Sequence, residues 1–160
     1  MRFATILALV TVLPFLGACQ LPLDPEGSSD QVQGRTLVVG LLTASLGTTD
    51  RAAVAAVATE FEAKPTLIAA APDVLMADLE SGKVHILLGD VPSNSALATH
   101  SAATRDFGSV RIGDKSHPRI ALVRPGENGF LLRVNRALGS AGIRSRAASS
   151  GSPDRGEDAR

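Results

Sequence analysis

Residues 36–89 read TLVVGLLTASLGTTDRAAVAAVATEFEAKPTLIAAAPDVLMADLESGKVHILLG, and the order of apolar runs within this stretch decides the fold. Residues 36–42, TLVVGLL, form a continuous aliphatic run between Gly34 and a polar loop, which predicts a buried strand. Thr48, Thr49 and Asp50 then offer side-chain oxygens to cap a helix. Ala53, Val54, Val57, Ala58 and Phe61 follow at helical spacing, so the pattern predicts an amphipathic helix over 50–63 that Pro65 ends. A short strand over 66–70 leads to a second helix opened by Pro72 and Asp73, with Leu75 and Leu79 on one face and Gly82 at its C-terminal end. Residues 84–88 make a third buried strand. Short strands alternating with helices are the pattern of parallel crossover units, in which helices cover both faces of a sheet.

Towards the C-terminus, a polar segment over 91–105 follows Gly89-Asp90, with Ala96, Leu97 and His100 placed to form a short helix. Residues 107–112 and 119–123 are two candidate strands, and the turn-forming residues between them favour an antiparallel hairpin. Pro125-Gly126-Glu127 introduces a last helix with Phe130, Leu131, Val134 and Leu138 on one stripe. From 140 to 160 hardly an apolar residue occurs, and such a tail is expected to be disordered because burial cannot offset its ordering entropy.

Composition narrows the function. One compact domain fits 160 residues. Lys plus Arg equals Asp plus Glu at 16 each, so no positive field exists to gather nucleic acid. The single Cys, Cys19, excludes a disulfide framework, a redox pair and a multi-cysteine zinc site.

Cys19 has a distinctive setting. Met1-Arg2 is followed by an almost wholly apolar run over 3–16, then by the small pair Gly17-Ala18. This is the layout of a cleavable signal peptide over 1–18, and the run is shorter than the roughly 20 residues of a membrane-spanning helix. Leu16-Gly17-Ala18-Cys19 resembles the lipobox of bacterial lipoproteins, which implies cleavage after residue 18 and acylation of Cys19. Two or more acyl chains hold a protein firmly, each buried CH₂ contributing about 0.8 kcal/mol. Residues 19–35 then read as the lipidated Cys and a flexible tether, rich in Pro, Gly and Ser. Gln20 stands where an Asp would resemble an inner-membrane retention signal, so outer-membrane sorting is favoured.

Residues 37–107 resemble the first lobe of bacterial extracellular solute-binding proteins of family 3, the substrate-binding components of ABC importers. The resemblance is carried by LVVGLL, by the helix ending in Glu60-Phe61, by the run from Val74 to Gly89, and by Thr104-Arg105-Asp106-Phe107 at the crossing into a second lobe. Residues 120–138, IALVRPGENGFLLRVNRAL, resemble the return strand, Pro-Gly turn and closing helix. The resemblance implies an α/β fold: a single periplasmic-binding-protein-like lobe over 36–139, with a parallel βαβαβ core, an added antiparallel hairpin and a C-terminal helix. Where the family has its second lobe this chain has only residues 108–119, so the crossing and return strands are expected to join directly. Interlobe closure within one chain would then be impossible.

Ligands of open α/β sheets bind at the carboxyl ends of the strands. That rule points to Thr43, Ser45, Asp90, Ser93 and Asn94 as ligand-binding candidates. These residues read either as a shallow polar pocket or as loop and capping residues on the rim. Amino-acid binders of the family place a Thr and, three positions on, an Arg after the third strand; Asn94 and Leu97 align there, and Leu97 cannot grip a carboxylate. His85, His100 and His117 show no metal-ligand spacing, and Ser45, Ser93 and Ser95 have no nucleophile-elbow setting. No cofactor, metal site or catalytic residue is implied.

The expected function is a lipid-anchored envelope binding protein for small polar solutes, reduced to one lobe. Its expected partners are the membrane, the solute, and an ABC transporter permease or another envelope protein. An accessory lipoprotein that binds proteins and no small molecule is the alternative.

Overall fold

The computed structural model describes residues 23–140. The expected signal peptide, Cys19, the first residues of the expected tether and the expected tail beyond Ser140 lie outside the described residues.

Among the described residues, four helices and seven strands follow in the order α1 (Ser28–Val32), β1 (Thr36–Leu41), α2 (Thr48–Glu60), β2 (Lys64–Ala69), α3 (Pro72–Glu80), β3 (Ile86–Leu88), a 3-10 turn (Ala96–His100), β4 (Ala102–Ala103), β5 (Ser109–Ile112), β6 (Lys115–Pro118), β7 (Leu122–Val123) and α4 (Asn128–Ser140). The main sheet has the order β2-β1-β3-β7-β4. β1 lies parallel to both β2 and β3, as the crossover pattern requires, while β7 runs antiparallel to β3 and β4. Pro65 is accommodated because β2 is an edge strand, where a missing N–H leaves no central ladder bond unmade.

Strand alternation sorts the apolar residues into two layers. Leu37, Val39, Ile86, Leu88 and Val123 face α2 and α4, where Val57, Phe61, Phe130 and Val134 complete the larger core. Leu87 and Leu122 face the other way, against Leu75 and Leu79 of α3. Gly40 is required for that second layer: a Cβ there would fall 2.5 Å from Leu87 Cδ2 and 3.1 Å from Leu75 Cδ2.

Helix and strand ends differ from expectation where local capping decides them. α2 starts at Thr48, since Asp50 sits inside the first turn and accepts the Gly47 N–H at 3.1 Å. β3 starts at Ile86; just before it His85 pairs with Val38 through both groups, its N–H donating to the Val38 carbonyl at 3.0 Å and its ring Nδ1 accepting the Val38 N–H at 2.9 Å. Burial lowers the His85 pKa below its ordinary 6.5 through desolvation. α4 runs through Ser140, one residue into the segment expected as tail.

The hairpin is tighter than expected. β5 pairs with β6 across Gly113-Asp114 alone, with Gly113 at φ +58°, a residue at which glycine relieves the strain of a two-residue turn. Residues expected in the loop, Lys115 to Pro118, are thus strand. Below the hairpin the two crossing segments stay paired: the Phe107 N–H donates to the Arg119 carbonyl at 3.0 Å, and the Thr104 N–H to that of Ala121 at 2.9 Å.

The largest departure concerns residues 23–34, expected within a flexible tether. They are packed onto the domain instead. Asp24 Oδ1 accepts the Phe130 N–H at 2.8 Å, capping the first turn of α4. Glu127, 1% exposed, returns the favour at α1 by accepting the N–H groups of Glu26 and Ser28 at 2.9 and 2.8 Å. Arg124 pairs with Glu26 at 3.5 Å, and Val32 is fully buried in the larger core. Asp24 and Glu127 are the two halves of a clasp that fastens this segment to α4.

Candidate functional site

Leu41 and Leu88 are register partners at the ends of adjacent parallel strands, so the loops after β1 and β3 leave the sheet together. The Leu42 N–H extends the pairing by donating to the Leu88 carbonyl at 2.8 Å. Gly89 permits the approach, since a Cβ there would stand 3.0 Å from Leu42 Cβ and 3.2 Å from Thr43 Cγ2. Between these loops lies a cleft of about 190 Å³, lined by Thr43, Asp90 and Ser95 with Leu42, Val91 and Leu97.

Two of the five candidates from sequence therefore meet. Thr43 is half-buried, and its hydroxyl donates to the Ser45 carbonyl at 3.1 Å. The Asp90 side chain is 63% exposed. Ser45, Ser93 and Asn94 are exposed and stand outside the cleft lining. The backbone explains the last two: Pro92 bridges to Arg119, and the Ser93 N–H donates to the Pro118 carbonyl at 2.8 Å, which ties this segment to the return strand. Ser95 takes their place in the wall and caps the 3-10 turn by accepting the Leu97 N–H at 3.3 Å.

Sequence reasoning missed Arg119, which organises the rim. Its Nη1 lies 3.3 Å from Asp50 Oδ1 and 3.4 Å from Asp90 Oδ1. Its guanidinium stands over the Phe107 ring, 4.9 Å from the centroid. One cation thus joins the start of α2, the end of β3 and both crossing segments. Asp50 and Arg119 are 3% and 7% exposed, and Arg119 Nε has no hydrogen-bond partner, so the pair is buried and incompletely satisfied. The only advance signal was a charged residue at the head of an apolar strand. Thr104 was missed too: its hydroxyl accepts the Ala121 N–H at 2.9 Å and holds the crossing strand to the return strand.

The cleft can offer hydroxyl and carboxylate acceptors on one side and an aliphatic wall on the other. Leu97 is in that wall, where it supplies no charge. Among the described residues no group of three or more His, Cys, Asp and Glu is placed to hold a metal ion. His85, committed to the Val38 N–H, lies at the opposite end of the sheet.

The sheet has β2, β1 and β3 parallel, β7 antiparallel between β3 and β4, and two paired segments running from it to the hairpin. No family model and no curated protein sequence matches the chain. Solved structures do, amino-acid-binding proteins among them. The arginine-bound form of domain 1 from TmArgBP is 14% identical, with a TM-score of 0.56, over 66% of this chain and 92% of that one. A Salmonella typhimurium periplasmic binding protein of high arginine specificity is 11% identical, with a TM-score of 0.56, over 72% and 96%. The ancestral amino acid-binding protein AncCDT-1, a precursor of cyclohexadienyl dehydratase, is 11% identical, with a TM-score of 0.59, over 72% and 94%. At these identities the likeness is one of fold, and the first of the three is itself a single lobe.

Proposed function

We propose that this chain is an exported, lipid-anchored envelope protein that holds a small polar solute on one lobe. The observation that carries the reading is the cleft at the carboxyl ends of β1 and β3, where Thr43 and Asp90 converge on a scaffold shared with amino-acid-binding proteins. Ser45, Ser93 and Asn94 are exposed on the loops after β1 and β3, outside the cleft lining. The signal peptide over 1–18, acylation at Cys19 and a location on the periplasmic or outer-surface side, outer membrane favoured, complete the reading. Its partners are the bilayer, the solute, and an ABC transporter permease or another envelope protein. The lobe works without catalysis.

Residues 108–119 form a hairpin and its stems, so capture within one chain proceeds without an opposing lobe. The competing reading, an accessory lipoprotein that contacts another protein through the same rim, is favoured by one observation: Leu97 occupies the wall where an Arg would grip a carboxylate.

Thermal unfolding of the mature protein against amino acids and other small polar solutes separates the two. A ligand at a hundredfold excess over its Kd stabilises by about 2.7 kcal/mol. That corresponds to a rise of roughly 10 °C. No rise with any solute, together with co-purification of an envelope protein, decides for the accessory reading.

A further inference from the structure

The clasp sets where the folded domain stands relative to its anchor. Asp24 is bonded at the start of α4, and Leu23 accepts the Asn128 N–H at 3.1 Å. Only residues 20–22 therefore lie between Cys19 and the packed chain. Four Cα-to-Cα steps, from Cys19 to Leu23, span at most about 14 Å.

The point of attachment lies at one pole of the sheet. Arg124 follows β7, Gly82 precedes β3, and Arg35 precedes β1; a Cβ at Gly82 would be 3.4 Å from Arg124 Nη1 and 3.8 Å from Gln31 Oε1. The clasp is thus gathered where β1 and β3 begin. The cleft lies where they end. The six residues of β1 separate the two levels by about 20 Å. A compact domain of this size has a radius of gyration of about 13 Å and a diameter of roughly 35 Å. For the cleft pole to touch the bilayer, the clasp would have to stand at least about 20 Å off it, beyond the roughly 14 Å reach of the intervening chain.

Of the five large apolar side chains exposed among the described residues, two stand at this pole, while Leu67, Val74 and Ile112 lie elsewhere. Leu23, 69% exposed, is the described residue nearest the anchor, and Leu132, 45% exposed, lies in the first turns of α4 beside the clasp. Both would meet a bilayer interface at this pole.

We propose that the clasped pole rests against the membrane that holds Cys19 and that the cleft faces away from it. What fills the cleft therefore comes from the aqueous side, and a partner embedded in the anchoring membrane reaches it only through a part that protrudes by about 20 Å. This inference rests on the lipid anchor of the proposed function and is independent of solute binding.

Acylated Cys19 leaves no free thiol, so one introduced cysteine can be labelled uniquely. The full lipoprotein carrying Lys83→Cys at the clasped pole, where the native side chain is 75% exposed, or Ala44→Cys in the exposed loop after β1, is labelled with a small fluorophore. Each is placed in phosphatidylcholine vesicles containing nitroxide-headgroup lipid, which quenches only at short range. The label at position 83 is expected to be quenched several-fold more than that at 44. Inserting twenty Gly/Ser residues between Pro22 and Leu23, with a root-mean-square span of about 25 Å, is expected to erase the difference. Equal quenching at the two positions without the insert overturns the orientation, and so does a difference that the insert leaves unchanged. Mass spectrometry of the same samples reads the anchor separately: a free thiol at Cys19 overturns the anchor reading itself, whatever the labels show.

Discussion

Replacing Arg119 by Met strips the countercharge from Asp50, whose side chain is 4% exposed. Removing one member of a buried ion pair costs about 3–5 kcal/mol, because the other is left charged and desolvated. Two details place this case at the low end. The contacts are 3.3–3.4 Å, longer than the roughly 2.7–2.9 Å of strong charge-assisted bonds, and the Gly47 N–H still reaches Asp50. The expected loss is about 3 kcal/mol. Asp50→Asn should be milder, about 1–2 kcal/mol, since Asp90 remains beside the guanidinium. The double variant should be more stable than the sum of the two losses predicts, by about 1–3 kcal/mol. Urea unfolding followed by circular dichroism measures all four corners of the cycle, and the Arg119→Met variant should melt about 12 °C lower. A loss below about 1 kcal/mol for Arg119→Met, or strict additivity, would refute the reasoning by showing that water already screens the pair.

Gly40→Ala places a Cβ 2.5 Å from Leu87 Cδ2 and should destabilise by about 1–3 kcal/mol in the same assay. Glu127→Ala leaves the Glu26 and Ser28 N–H groups without their acceptor; a loss of about 1–3 kcal/mol should come with faster amide exchange at residues 24–33, whereas unchanged exchange there would mean that the clasp does not hold the segment. His85 has a pKa below 6.5 in the folded state, so the unfolded chain takes up the proton first as pH falls. Its stabilising contribution is complete above about pH 6.5 and shrinks below it. The urea midpoint should therefore fall between pH 7.5 and 5.5, and His85→Gln should flatten that fall.

The main sheet was legible because its strands are aliphatic runs and its helices carry Ala53, Val57, Leu75 and Leu79 at helical spacing. Periodicity reports burial directly. Element ends were less legible: Asp50 was readable as a capping residue but not its place inside the first turn, and nothing in the residue type of His85 announces that its ring accepts a backbone N–H. The clasp was invisible for a different reason. Asp24 and Glu127 each read as ordinary loop carboxylates, and their partners lie 106 and about 100 residues away in sequence. Val32 alone among polar neighbours gives no period from which burial could be inferred. The same holds at the rim: Thr43 and Asp90 follow from strand ends, but Arg119 meets Asp50 only because two crossing segments pair. Ser93 and Asn94 were drawn from the correct loop and then held off the cleft by the Pro92–Arg119 bridge.

A solute held on one lobe at the ends of β1 and β3 is the claim on which the functional account turns. Amide chemical shifts of the isotope-labelled mature protein, followed while amino acids and other small polar solutes are titrated, test it residue by residue. The account predicts saturable shifts clustered on Thr43, Asp90, Val91 and Ser95. Shifts scattered over the surface, or none with any solute at millimolar concentration, would contradict it.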